Sequence, residues 1–134
     1  MATAKLFSGH AEEAETYYRQ AIRLSPRDPI AFSWTNGIGA AKLHLGDYED
    51  AARWLNQSVA ANQNYSLPHF FLAAALGQLG QVERARAEAQ IGLKLHPAFT
   101  ISRFRDGAES DNPVFLKQRR NICEGLRMAG VPEG

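Results

Sequence analysis

A motif that recurs at a fixed spacing constrains this chain more than any other feature. Gly46-Asp-Tyr-Glu-Asp-Ala-Ala and Gly80-Gln-Val-Glu-Arg-Ala-Arg align with their glycines 34 residues apart. An earlier copy, Gly9-His-Ala-Glu-Glu-Ala-Glu, lies 37 residues before Gly46. A period of about 20–50 residues indicates a repeat architecture, in which stacked units bury a continuous core. We therefore expect the chain to be built from repeats.

Each glycine separates two helical patterns. Residues 30–45 and 67–79, which precede Gly46 and Gly80, are mostly apolar or small. After Gly46, Asp47 can cap a helix whose inward face carries residues spaced by three or four, namely Ala51, Leu55, Val59 and Asn62. Glycine commonly ends a helix in the left-handed conformation. The chain also has 21 Ala and 13 Leu against 14 Val, Ile and Thr together, so it is predicted to be all-α.

A helix–turn–helix unit of this length resembles the tetratricopeptide (TPR) repeat. The alanine that this family places in the second helix corresponds to Ala14, Ala51 and Ala85. The small residue of the first helix corresponds to Gly39 and Ala73. The family's tryptophan and tyrosine positions in that helix differ here and hold Thr35, His69, Lys42 and Leu76. The resemblance implies a right-handed superhelical solenoid of helical hairpins.

We interpret residues 1–134 as a single TPR domain. Residues 1–28 are a partial first repeat, 32–65 a second, 66–99 a third, and 100–134 a cap. The cap should contain a helix after Pro113 with an apolar stripe made of Phe115, Ile122, Leu126 and Ala129. A solenoid needs such a helix to cover its last apolar face. Only residues 1–7 stand where the first helix of repeat one is expected, which favours a late start or a fragment of a longer protein.

Several segments narrow the resemblance further. Ser25-Pro-Arg-Asp-Pro29, the run from Gly37 to Ala51, Asp111-Asn-Pro and Gly125-Leu-Arg-Met-Ala-Gly-Val-Pro-Glu resemble the C-terminal TPR region of bacterial class III adenylate/guanylate cyclase-like proteins. In that group the region follows a cyclase domain or, in relatives, a winged-helix DNA-binding domain. The resemblance implies a non-catalytic, regulatory role in bacterial signalling.

The surface expected to carry function is the groove that the first helix of each repeat lines in the TPR family. The corresponding positions here are Ser33, Asn36, Ala40, Leu43, His44, Leu67, Phe70, Ala74 and Gln78. This set holds one Asn and no Lys or Arg, so the carboxylate-binding groove of chaperone-binding TPRs is not expected. An apolar helix or extended segment of a protein partner would fit Leu43, Leu67 and Phe70. Another helix of the same chain, or a second copy, is the alternative occupant.

A separate feature of the sequence favours self-association. A missing first helix would leave Tyr17, Ile22 and Leu24 without a covering layer. A homodimer, or contact with other domains of a parent protein, would supply one.

Charge and motif spacing argue against other classes of function. The 15 basic and 14 acidic residues give a net charge of +1, which is unlike a nucleic-acid or membrane-surface protein. Lys117, Arg119, Arg120 and Arg127 are interrupted by Glu124 and are predicted to form a solvated helix face. The four histidines lack metal-ligand spacing, and Gly37-Ile-Gly39 lacks the rest of a dinucleotide fingerprint, so neither metal nor cofactor is expected. The lone Cys123 is predicted to be buried, and the chain to be cytoplasmic.

Overall fold

The computed structural model describes residues 11–25, 31–107 and 112–134, and these form seven helices with no strand among them. The helices are α1 (Ala11–Leu24), α2 (Ala31–His44), α3 (Tyr48–Ala61), α4 (Ser66–Gln78), α5 (Val82–Leu95), α6 (Ile101–Asp106) and α7 (Pro113–Met128). Helices α2 and α3 pack as a hairpin, as do α4 and α5, and α1 packs on α2. The predicted all-α, TPR-type helical-repeat fold is confirmed.

The turns of both hairpins depend on the glycines of the repeated motif. Gly46 and Gly80 have φ angles of 81° and 80°, in the left-handed region that favours glycine. The next residue of each turn donates its N–H back to the helix: Asp47 to the Lys42 carbonyl at 3.0 Å, and Gln81 to the Leu76 carbonyl at 2.9 Å. Asp47 stands at the N-cap of α3 as expected, but its side chain makes no capping hydrogen bond.

Small residues let the hairpin helices approach closely, as the repeat pattern predicts. Ala51 and Ala85 are fully buried at the helix contacts. A Cβ atom on Gly39 would lie 2.6 Å from Cγ of Leu55, and one on Gly92 would lie 2.9 Å from the ring of Phe70. A larger side chain at either glycine would force the neighbouring helices apart.

Lys42 links three helices from the position where TPR repeats hold tyrosine. Its Nζ lies 3.0 Å from Oε1 of Glu15 on α1 and 3.2 Å from Oδ2 of Asp50 on α3. The hydrogen bond to Glu15 is the main cause of the raised pKa of Lys42. An ion-paired lysine therefore joins α1, α2 and α3 at this position.

The C-terminal helix α7 covers part of the face formed by α2 and α4. It begins at Pro113, and the Asn112 side chain caps it by accepting hydrogen bonds from the amides of Val114 and Phe115. The predicted stripe of Phe115, Ile122, Leu126 and Ala129 is buried. The last residues then pair with α6, whose Ile101 amide donates to the Pro132 carbonyl at 2.9 Å. The segment between α5 and α7 thus contributes the six-residue helix α6.

The repeat boundaries at 32–65 and 66–99 stay predictions, because helix positions alone do not define where a repeat begins. Residues 1–7, on which the expectation of a missing helix rests, lie outside the described residues, as do residues 26–30 of the proline-containing segment and Asp111.

Candidate functional site: a cleft between α2, α4 and α7

A cleft with a volume of about 470 Å³, which we call the inner cleft, lies between α2, α4 and α7. Its aromatic lining residues are Tyr18, Trp34, Tyr65, Phe71 and Phe115. Its other lining residues are Ser33, Asn36, Gly37, Ala40, His44, Leu67 and Arg119. Clefts of this size with an apolar wall and a few polar groups are typical of ligand sites.

Five of the nine predicted groove residues line the inner cleft: Ser33, Asn36, Ala40, His44 and Leu67. Asn36, Ala40 and His44 form a stripe along α2, since they are spaced by four residues and lie on one helical face. They are 5–6% exposed, so they form the floor of the cleft rather than its rim.

The other four predicted groove residues lie elsewhere, and the expectation that they face a partner is corrected. Leu43, Phe70 and Ala74 are buried in the core with at most 1% exposure. The Phe70 ring stacks on Phe99, with centroids 3.7 Å apart, and Gln78 donates to the Asn121 carbonyl of α7 at 2.7 Å. The physical reason at Phe70 and Gln78 is that Phe99, from the segment before α6, and Asn121 of α7 pack against them.

His44 is the most buried titratable residue of the inner cleft. Its Nδ1 lies 2.7 Å from the Ala40 carbonyl oxygen and must carry the proton to donate there. Burial, together with the nearby positive charge of Arg119, lowers the pKa of His44 to about 4, although the Ala40 hydrogen bond opposes this. The ring is therefore neutral at pH 7, and its Nε2 is a hydrogen-bond acceptor. It stacks on Phe115 of α7 with centroids 5.6 Å apart.

Arg119 is a functional candidate that the sequence pattern did not indicate. Its guanidinium lies 3.8 Å from the ring centroid of Phe104 and 5.2 Å from that of Phe115. Burial lowers the pKa of Arg119, yet it remains a cation at any physiological pH. The prediction of a solvated basic face is therefore wrong for this residue, which helps to wall the inner cleft. The position of Arg119 in the cleft wall becomes evident only once the positions of Phe104 and α2 are known.

Four buried polar atoms have no hydrogen-bond partner within the part of the chain that the structure describes. They are Asn36 Oδ1, His44 Nε2, Gln118 Oε1 and Arg119 Nε. Two belong to α2 and two to α7, and three of the four residues line the inner cleft. An unsatisfied buried polar group costs about 1–3 kcal/mol, so native proteins retain few of them without a role. Because these atoms lie on two helices that contact each other, α2 and α7, the inner cleft is a site where a ligand's polar groups could supply the missing hydrogen bonds.

His69, the second histidine of interest, has a structural role. Its Nδ1 lies 2.8 Å from Oε2 of Glu88 on α5, and its Nε2 lies 3.1 Å from the Gln63 carbonyl oxygen. Both partners are hydrogen-bond acceptors, so each ring nitrogen of His69 faces one of them. The pair joins α4 to α5 from the position where TPR repeats hold tryptophan.

Within residues 11–25, 31–107 and 112–134, no three His, Cys, Asp or Glu side chains are grouped so that they could hold a metal ion. None of the helices described above is both long and apolar enough to cross a membrane.

The tetratricopeptide-repeat family model matches residues 1–66 of the chain. This match and the all-helical hairpin architecture together support a TPR domain. TPR repeats generally mediate protein–protein interaction, and a TPR domain is typically a non-catalytic module. None of the curated proteins matches the chain.

Proposed function

We propose that this chain is a non-catalytic module that binds a segment of a protein partner in the inner cleft. The observation that carries the proposal is the coincidence of an aromatic-lined cleft with buried, unpartnered polar atoms along its floor. An apolar wall supplies affinity through area removed from water, and a few polar groups fix orientation.

The dimensions of the cleft favour an extended segment of about four residues. Asn36 and His44 are eight residues apart on α2, which corresponds to about 12 Å along the helix axis. An extended chain covers that distance in about four residues at 3.3 Å each. Such a segment would place backbone N–H groups along the stripe, where Asn36 Oδ1 and His44 Nε2 lack partners.

Peptides selected from a random display library against the folded protein test this proposal. Leu67, which lines the inner cleft, and Ile91, which is 42% exposed on α5 and lies outside it, form a matched pair. We expect Leu67→Glu to weaken binding of the selected peptides about tenfold or more, because it places a charge on the apolar wall. Ile91→Glu should leave their affinity unchanged. Equal binding by both variants would show that the selected peptides bind outside the inner cleft.

The second part of the proposal concerns the longer protein to which this module would belong. The sequence segments Ser25–Pro29 and Gly125–Glu133 resemble those of cyclase-like bacterial signalling proteins, which favours a C-terminal regulatory region that contacts other domains or a partner. The TPR region of a winged-helix regulator is the alternative. The reading frame upstream of this chain decides between them, and a frame that encodes neither effector domain removes both.

Self-association is the competing use of the module. Leu24 is 83% exposed, and Tyr17, seven residues earlier on the same face of α1, is 44% exposed. A second copy that covered this face would form a homodimer. Sedimentation equilibrium of the wild type and of Leu24→Glu tests this: a monomer for both proteins excludes it.

A further inference from the structure

We propose that the Arg119 end of the inner cleft binds a carboxylate of the partner segment, supplied by an acidic side chain or by a chain terminus. This inference rests on the proposed function, because it names the chemistry that the same cleft would select. Arg119 lies outside the nine groove positions whose lack of Lys and Arg argued against the carboxylate-binding groove of chaperone-binding TPRs. The inference depends on three observations that concern the geometry of Arg119, the charge of the cleft and the polar stripe on α2.

The guanidinium of Arg119 lies against two aromatic rings. The rings of Phe104 and Phe115, at 3.8 and 5.2 Å from its central carbon, pack against it and restrict its rotation. The N–H groups of a guanidinium point outward in its own plane, where they match the two oxygens of a carboxylate. Nε carries one of these N–H groups and has no acceptor among the described residues.

The charge of the inner cleft is not balanced by the residues that line it. Among the described residues of the lining, Arg119 is the one permanently charged side chain, His44 is neutral, and there is no Asp or Glu. None of the ion pairs formed by the described side chains includes Arg119. A cation that is partly removed from water and has no counter-ion gains strongly from an anionic ligand.

The stripe on α2 completes the recognition of a peptide unit beside that carboxylate. His44 Nε2 accepts a hydrogen bond, because its Nδ1–H is committed to the Ala40 carbonyl. The Asn36 side chain, 5% exposed, is able to donate or accept. A backbone N–H next to the carboxylate satisfies His44, whereas a second carboxylate at that point would be repelled by its lone pair.

Three short peptides with the same apolar residue test the inference: acetyl-Phe-Glu-amide, acetyl-Phe-Gln-amide and acetyl-Phe-Gln with a free carboxyl end. The first carries a side-chain carboxylate, the second none, and the third a terminal carboxylate. Binding is followed by NMR titration of the labelled full chain. We expect at least one carboxylate peptide to bind about tenfold more tightly than the neutral one, and the tighter of the two identifies the source.

Variants of α7 connect the preference to Arg119. Arg119→Met keeps an unbranched apolar stem against the two rings and should abolish the preference for a carboxylate. Arg120→Met, at the exposed neighbouring position, is the matched control and should retain it. Should Arg119→Met fail to fold, Arg119→Lys keeps the charge without the planar fork and should retain only part of the preference.

The outcomes separate this inference from the proposed function. Equal binding of the charged and neutral peptides in the inner cleft, or a preference that survives in Arg119→Met, overturns the carboxylate inference and leaves the proposed function standing. Failure of all three peptides to bind at millimolar concentration overturns the carboxylate inference, while the display experiment with Leu67→Glu still decides the proposed function.

Discussion

Gly77 of α4 and Gly125 of α7 meet at backbone-to-backbone distance: a Cβ atom on Gly77 would lie 2.6 Å from the Gly125 carbonyl oxygen. This contact brings α7 down onto the face that the first helices of the hairpins share. As a result, α7 supplies one wall of the inner cleft through Phe115 and Arg119. The C-terminal helix is therefore both a cap of the core and part of the candidate binding surface.

Substitution of Gly125 by alanine tests how tightly α7 is seated. The added methyl group would collide with the backbone of Ala74 on α4. We expect Gly125→Ala to lower the free energy of unfolding by about 1–3 kcal/mol, the usual cost of overpacking, despite the better helix propensity of alanine. Urea denaturation measures this. Glu124→Ala, at an exposed neighbouring position, should change stability by no more than about 0.5 kcal/mol, and equal stabilities of the two variants would contradict the close contact.

Phe70 is expected to behave as a core residue. Its ring is 1% exposed and stacks on Phe99, so Phe70→Ala leaves a cavity in the core. The substitution should lower the free energy of unfolding by about 3–5 kcal/mol, as measured by thermal or chemical denaturation. Val114→Ala, at a position that is 53% exposed on α7, is the control and should have little effect. A stable Phe70→Ala protein with impaired ligand binding would show that Phe70 contacts the ligand in the groove and is not a core residue.

Because the His44 ring is buried and neutral, the free energy of unfolding is expected to depend on pH. Its folded pKa of about 4 is below the ordinary value of 6.5, so the unfolded chain binds the proton more readily between these values. Stability should therefore fall as the pH drops from about 6.5 to about 4, by up to about 3 kcal/mol from this group. The pH dependence of the urea midpoint measures the effect. His44→Phe should flatten this slope, and His96→Phe, at an exposed site, should retain it; an unchanged slope in His44→Phe would show that other groups cause it.

Cys123 should be unreactive in the folded protein. Burial raises the pKa of its thiol, although the charges of Arg119, Arg127 and Arg105 oppose the shift. A thiol that is buried and protonated reacts slowly, because the thiolate is the nucleophile. Ellman's reagent should modify Cys123 only as fast as the protein opens, with a rate that rises in urea. A cysteine placed at the exposed Met128 position in a Cys123→Ala background should react at once, and comparable rates for the two proteins would refute the burial of Cys123.

The sequence predicted the parts of the fold that repeat. The spacing of Gly46 and Gly80 located two left-handed turns, and the periodic small residues located the buried faces of α3 and α5. The apolar stripe after Pro113 correctly predicted a capping helix. These features are local, so a short window of residues is enough to recognise them.

The candidate site was less predictable because it depends on contacts between distant segments. Phe70 occupies a groove position in the repeat pattern, but Phe99, 29 residues later, covers it. Arg119 looked like one of several solvated cations, and only the positions of Phe104 and Phe115 turn it into the cleft wall. Repeat periodicity contains no information about a segment that departs from the period and folds back over the array.

The two tryptophans allow the most direct test of the claim that the inner cleft binds a partner segment. Trp34 lines the cleft, whereas Trp54 on α3 lies outside it against Arg19. The indole N–H signals of both residues can be followed in one NMR titration with a peptide selected by display. We predict that the Trp34 signal shifts in a saturable way while the Trp54 signal stays in place. A saturable shift of Trp54 with an unmoved Trp34 would contradict the account, because the peptide would then bind on another face.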